Sequence, residues 1–173
     1  MITATTLQLT QSILSNLTKD KQSNLDCLAK LDSDYEYEVK ELNTAVGVVD
    51  YGKDRIQGNG KADDQNIRRF LRLEALKKKY IEERTVLIQE LERIDKLTRF
   101  IRTMKDDTGK ALRWFYIGWD NEIDDSSAGR STGTKLRKNE IGDELGYERT
   151  EVAHLIREGE KRSARFLVIN KLI

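Results

Sequence analysis

Leu73, Tyr80, Leu87, Ile94 and Ile101 follow one another at intervals of seven residues without a gap. Seven residues make nearly two turns of α-helix, so these side chains share one stripe of a helix expected over about Asn66–Lys105. Leu76, Leu97 and Met104 stand three residues further on, but Glu83 and Glu90 occupy the same column. A parallel two-stranded coiled coil wants both columns apolar. The broken column points instead to packing against a neighbouring helix as an antiparallel hairpin.

The preceding segment supplies that neighbour. Leu14, Leu17, Leu25, Leu28, Leu31, Tyr35, Val39, Leu42, Val46 and Val49 recur mostly in steps of three, four or seven, again one helical stripe. The polar stretch Thr18–Asn24 is expected to set off a short separate helix at its start. Tyr51–Asn66 holds three glycines and an Asn-Gly pair and reads as the connecting loop. Pro is absent from the 173 residues and Gly numbers only 11, which favours long helices over a turn-rich β fold. The expectation is an all-α protein. Residues 1–106 form a long antiparallel helical hairpin (Leu14–Lys105), and residues 107–173 form a C-terminal helix-turn-helix domain.

Composition excludes several classes. One cysteine, Cys27, forbids an internal disulfide framework and is expected as a small buried hydrophobe. One histidine, His154, excludes His-rich metal sites. No stretch approaches the ~20 apolar residues of a membrane span, and the opening MITATTLQLTQSIL lacks the basic start and apolar core of a secretory signal. No membrane partner is expected. Lys61 follows Gly60 without the rest of a phosphate-cradling loop, and the paired carboxylates Asp63–Asp64, Asp106–Asp107 and Asp124–Asp125 read as caps and loop residues. No catalytic residue, metal or cofactor is expected; the chain reads as a non-enzyme.

Basic residues number 31 and acidic residues 30, so bulk charge does not draw the chain to nucleic acid. The distribution is uneven. Residues 65–119 carry 14 basic and 8 acidic side chains, and residues 130–173 carry 10 and 7, whereas residues 1–64 carry 7 and 11. ALRWFYIGW (Ala111–Trp119) holds both tryptophans and is expected as a buried helix. Asp120–Lys135 has the composition of a mobile loop.

The last segment carries the functional signal. Ile141 and Leu145 lie four apart on a short helix. Gly142 leaves room for a close approach, and Gly146 suits a left-handed helix end. The apolar pattern restarts at Val152, Leu155 and Ile156, giving a helix, a tight turn and a second helix over about Arg149–Phe166, held together by Ile141, Leu145, Val152 and Leu155. This frame resembles a helix-turn-helix DNA-binding unit. IGDELGYERTEVAHLIREGEKR looks most like region 4 of sigma-70-type factors, with ALRWFYI as the earlier aromatic-rich helix. With DRIQGNG at Asp54–Gly60, the layout over about residues 25–168 is similar to an uncharacterised family in phages and prophages of Gram-positive bacteria, related in layout to phage late-gene transcription activators.

The resemblance implies a cytoplasmic transcriptional regulator in a bacterial host, binding double-stranded DNA and contacting RNA polymerase. The hairpin would serve either as homodimer interface or as polymerase contact. The second helix would lie in the major groove with Arg149, Thr150, Ala153, His154 and Arg157 toward base edges. Lys135, Arg137, Lys138, Lys161 and Arg162 would reach phosphates. Two alternatives stay open: a small-terminase-like DNA-packaging recognition subunit, and a protein-binding adaptor without DNA contact.

Overall fold

A computed structural model describes residues 2–44, 61–124 and 129–173. Five helices, and no strand, occur among the described residues: α1 Ala4–Thr44, α2 Lys61–Thr103, α3 Asp107–Tyr116, α4 Lys138–Leu145 and α5 Arg149–Ile169. No described helix is long and apolar enough to cross a membrane. Gly58, Gly60 and most of the expected Tyr51–Asn66 loop, including DRIQGNG, lie outside the described residues, as do Val46 and Val49.

The first helix is unbroken. It begins ten residues before Leu14 and runs straight through Thr18–Asn24. That stretch is polar but contains neither Gly nor Pro, and polarity alone does not stop a helix. Upstream, Thr10, Ser15 and Asn16 return their side-chain hydrogens to the carbonyls of Thr6, Gln11 and Ser12, which keeps these weak helix formers inside the helical frame.

The chain forms two compact units, and their boundaries do not fall at residue 106. One comprises Met1–Gln22 with Leu91–Ile173; the other comprises Ser23–Glu90. The ends of the expected hairpin therefore belong with the C-terminal helices. Leu14 and Leu17 from α1, and Ile94, Leu97, Ile101 and Met104 from α2, are buried in one cluster with Leu112, Trp114, Ile141, Val152, Ile156 and Leu167. The reason is the density of large side chains: Trp114, Tyr116 and Trp119 provide an apolar surface that α1 and α2 residues cover. Phe100 stacks on Phe166 with centroids 4.2 Å apart, and Lys21 Nζ meets Asp95 Oδ1 at 2.7 Å.

In the Ser23–Glu90 unit the two helical segments run in opposite directions. Tyr35 stacks on Tyr80 at 4.1 Å. Asp32 accepts hydrogen bonds from Tyr80 Oη at 2.7 Å and Arg84 Nε at 3.4 Å, and Asn43 accepts one from Arg69 at 2.9 Å. Higher numbers on α1 thus meet lower numbers on α2. Cys27, expected inside, is exposed; a two-helix pair has a narrow seam, and Cys27 falls beside the stripe formed by Leu28 and Leu31.

Of the expected mobile loop Asp120–Lys135, residues 125–128 lie outside the described residues, and the described parts are tied down. Trp119 N donates to Thr134 O and Gly133 N to Trp119 O. Arg113, only 2% exposed, pairs with Asp124, and Asp120 takes Arg102 at 2.6 Å. Sequence composition registers the acidic residues but not the buried arginine that needs one of them.

Candidate nucleic-acid interface

The α4–turn–α5 unit is set by two glycines. Gly146 has φ +75° and ends α4 in the left-handed conformation. Gly142 O accepts from both Gly146 N, at 2.8 Å, and Tyr147 N, at 3.0 Å. A Cβ on Gly142 would lie 2.4 Å from Tyr147 O and 3.6 Å from Val152 Cγ2. The turn backbone itself, more than the second helix, demands glycine there.

Both helices start with a glutamate reaching back to the backbone. Glu140 Oε2 accepts from Arg137 N at 2.6 Å, and Glu151 Oε2 from Glu148 N at 2.9 Å. These two carboxylates thereby satisfy donors at their own helix starts. Ile141 and Val152 are fully buried and Ile156 nearly so; Leu145 and Leu155 lie at the edge of the same contact, half-buried. Tyr147 in the turn donates to Asp107 Oδ2 at 3.1 Å, which ties the turn to the start of α3.

With the inner side of α5 fixed, its outer side is defined. Arg149, Thr150, His154 and Arg157 are exposed and Ala153 is half-buried. Thr150, Ala153, His154 and Arg157 border one groove of about 830 Å³. Its other wall comes from the first turns of α1, through Leu7, Gln8 and Gln11, with Lys138 and Phe115 alongside. Arg149 lies outside that lining.

The expected phosphate contacts divide into two sets. Lys135 and Arg137 are exposed and form no ion pair among the described residues. Lys138 is half-buried with Nζ 5.7 Å from the Phe115 ring centroid. Arg162 instead pairs with Asp106, and Lys161 with Glu158 three residues earlier. The Glu158 carboxyl is held below its ordinary range chiefly by the Lys161 hydrogen bond. Arg130 likewise meets Glu144 at 2.6 Å.

Tyr116 and Glu160 also line the groove with Gln11, and the sequence singled out neither Glu160 nor Gln11. Glu160, 5% exposed, accepts from Tyr116 Oη at 2.6 Å and from Gln11 Nε2 at 2.7 Å. Burial, then the Glu160 hydrogen bond and charge, push the Tyr116 hydroxyl far above its ordinary pKa. Spacing held a clue for Glu160: it lies four residues after Ile156 and seven before Leu167, on the buried stripe of α5. No such clue exists for Gln11, whose partner is 149 residues away.

No group of His, Cys, Asp and Glu suited to a metal ion occurs among the described residues. Comparison of the chain with family models, with curated proteins and with solved structures finds no match.

Proposed function

We propose that the chain is a DNA-binding transcriptional regulator of phage or prophage origin whose α5 enters the major groove and which contacts RNA polymerase, in keeping with its resemblance to sigma region 4. The observation that carries this reading is the pairing of a fixed inner face with an exposed outer one that borders the groove walled by α1. Arg149, Thr150, His154 and Arg157 are exposed on a helix whose opposite side is anchored by Val152, Ile156, Ser163 and Leu167. Arg at such positions can bond guanine O6 and N7 together, and Thr150 and Ala153 can lie against a thymine methyl. Lys135, Arg137 and Lys138 flank the helix where phosphates would run. Several nearby carboxylates are occupied locally, Glu140 and Glu151 at helix starts, Glu144 by Arg130 and Glu158 by Lys161.

The test is selection of bound duplexes from a random pool, followed by affinity measurement at several salt concentrations. Arg149→Ala and Arg157→Ala should each weaken the selected site by ~10–100-fold and relax its sequence preference. A parent protein that selects no sequence at low salt, or variants with unchanged affinity and preference, would overturn the reading.

A further inference from the structure

The Ser23–Glu90 unit contains no fully buried side chain among those described in 23–43 and 67–90. Even its seam residues, Leu28, Leu31, Tyr35, Val39, Leu73, Leu76, Tyr80 and Leu87, are only half-buried. Val86, on the face described next, is 58% exposed, whereas Leu25, Ile67, Phe70 and Ile81, also exposed, lie on the opposite side of the pair. Two paired helices bury too little apolar surface to offset the entropy of ordering them, and such helices gain their stability from a further packing layer.

One face of this pair carries the pattern needed to identify that layer. Two hollows lie on it. One, about 450 Å³, is bordered by Cys27, Lys30, Leu31, Glu83, Val86 and Leu87; the other, about 630 Å³, by Glu38, Glu41, Leu42, Arg72, Leu76 and Lys79. Cys27, Leu31, Glu38 and Leu42 follow one another in helical steps on α1, and Arg72, Leu76, Lys79, Glu83 and Val86 do so on α2, so both hollows share a face. Along it α1 is basic at Lys30 and acidic at Glu38 and Glu41. At the matching levels α2 is acidic at Glu83 and basic at Arg72 and Lys79. The levels follow from the Tyr35–Tyr80 and Asp32–Arg84 pairs.

We propose that this face docks on the same face of a second copy of the chain, forming a four-helix bundle about a two-fold axis parallel to the helices. That axis lays α1 of each copy on α2 of the other at the same level. Lys30 then meets Glu83, and Glu38 and Glu41 meet Arg72 and Lys79. Asp34, which borders the first hollow, comes to Lys79. Across a perpendicular axis Asp34 would meet its own copy, which disfavours that alternative. The apolar strip Leu31, Leu42, Leu76, Val86 and Leu87 becomes the bundle core. A face whose own signs are arranged this way is self-complementary, which an isologous interface requires.

The full chain, measured by sedimentation equilibrium at micromolar concentration, should show twice its 20.0 kDa mass. Arg72→Glu with Lys79→Glu, and separately Glu38→Lys with Glu41→Lys, should each weaken self-association by ~100-fold or more, the scale of like charges juxtaposed across an interface. Mixing the two variants should restore dimers, now mixed, and all four changes in one chain should restore self-association. Circular dichroism of each variant shows whether the helices persist. If both reversed variants lose their helices, the four-change chain decides alone, because it restores opposite signs between positions 38 and 41 and positions 72 and 79, leaving only Asp34 against a like charge at position 79. A monomeric parent, a ring of higher mass, dimers indifferent to the reversals, or a four-change chain that stays monomeric would overturn the proposal. DNA binding plays no part in this test.

Discussion

The buried carboxylate of Glu160 on α5 accepts a hydrogen bond from the Tyr116 hydroxyl of α3 at 2.6 Å. Its second oxygen takes the Gln11 amide of α1, so one side chain joins three helices. Glu160→Ala would leave two donors without their acceptor. Each such group is worth about 1–3 kcal/mol when buried. The melting temperature should fall by several degrees, and amide exchange over Leu7–Gln11 should accelerate. Unchanged exchange there would show that the α1 segment is held without this carboxylate.

Tyr116 also gives an alkaline signature. Burial, reinforced by Glu160, raises its pKa in the folded chain well above the ordinary 10.0. The folded state therefore holds the phenolic proton more tightly than the unfolded state does. Its stabilising contribution is complete below about pH 10 and is lost as pH climbs toward the folded value. Denaturant midpoints taken between neutral pH and about pH 11 should fall more steeply for the parent than for Tyr116→Phe. Parallel curves would count against a buried, protonated Tyr116.

Much of this unit could be read from local spacing, and the unread part follows from distance along the chain. Gly146 next to Leu145, and the restart at Val152, placed the turn because helix ends are governed by neighbouring residues. The stripe containing Ile94 and Ile101 placed α2 for the same reason. The spacing did not separate Ile94, Leu97 and Ile101, which are fully enclosed, from Leu73, Tyr80 and Leu87, which are not. That difference depends on Trp114 and its neighbours packing beside one end of the stripe. Likewise Arg162 and Lys135 look alike as cations in a sequence, until Asp106, 56 positions away, is found against one of them.

Gly142→Ala tests the turn. The new Cβ would lie 2.4 Å from the Tyr147 carbonyl oxygen, a backbone atom held in place by Tyr147 N bonding Gly142 O. Relief requires α4 and α5 to move apart, opening the contact between Ile141 and Val152. A loss of about 1–3 kcal/mol is expected, on the scale of overpacking a tight core. Gly146→Ala instead strains only φ +75° in open space, so about 1–2 kcal/mol suffices. Thermal melts of the two variants should show Gly142→Ala losing at least as much as Gly146→Ala. The reverse order would place the strain at the helix end instead of the close approach.

Arg113 is a buried cation, tolerated because Asp124 pairs with it and Asp124 in turn accepts from Asp120 N at 2.9 Å. Both side chains of the pair are 2% exposed. Arg113→Met would strand a carboxylate away from water, and breaking a buried pair from one side loses about 3–5 kcal/mol. Replacing both partners, Arg113→Met with Asp124→Leu, should recover most of that stability. A single variant as stable as the parent would show that Asp124 reaches solvent by a small shift.

Cations free to reach phosphate should differ from those already paired. If α5 docks on DNA as proposed, Lys135→Ala and Arg137→Ala should each flatten the plot of log affinity against log salt by about one unit. Arg162 is held by Asp106, which also caps α3 by accepting from Gly109 N at 3.0 Å. Desolvation pulls the Asp106 carboxyl upward, but the Arg162 hydrogen bond and the Gly109 N–H outweigh it and leave its pKa lowered. Asp106 therefore stabilises the fold above the ordinary carboxylate range, and that contribution fades as pH falls through it. Arg162→Ala should make acid unfolding begin at higher pH while leaving the salt slope unchanged. Equal slope changes at Arg137 and Arg162 would mean that the Asp106 pair opens on DNA, and that phosphate contacts extend further along α5 than its first turns.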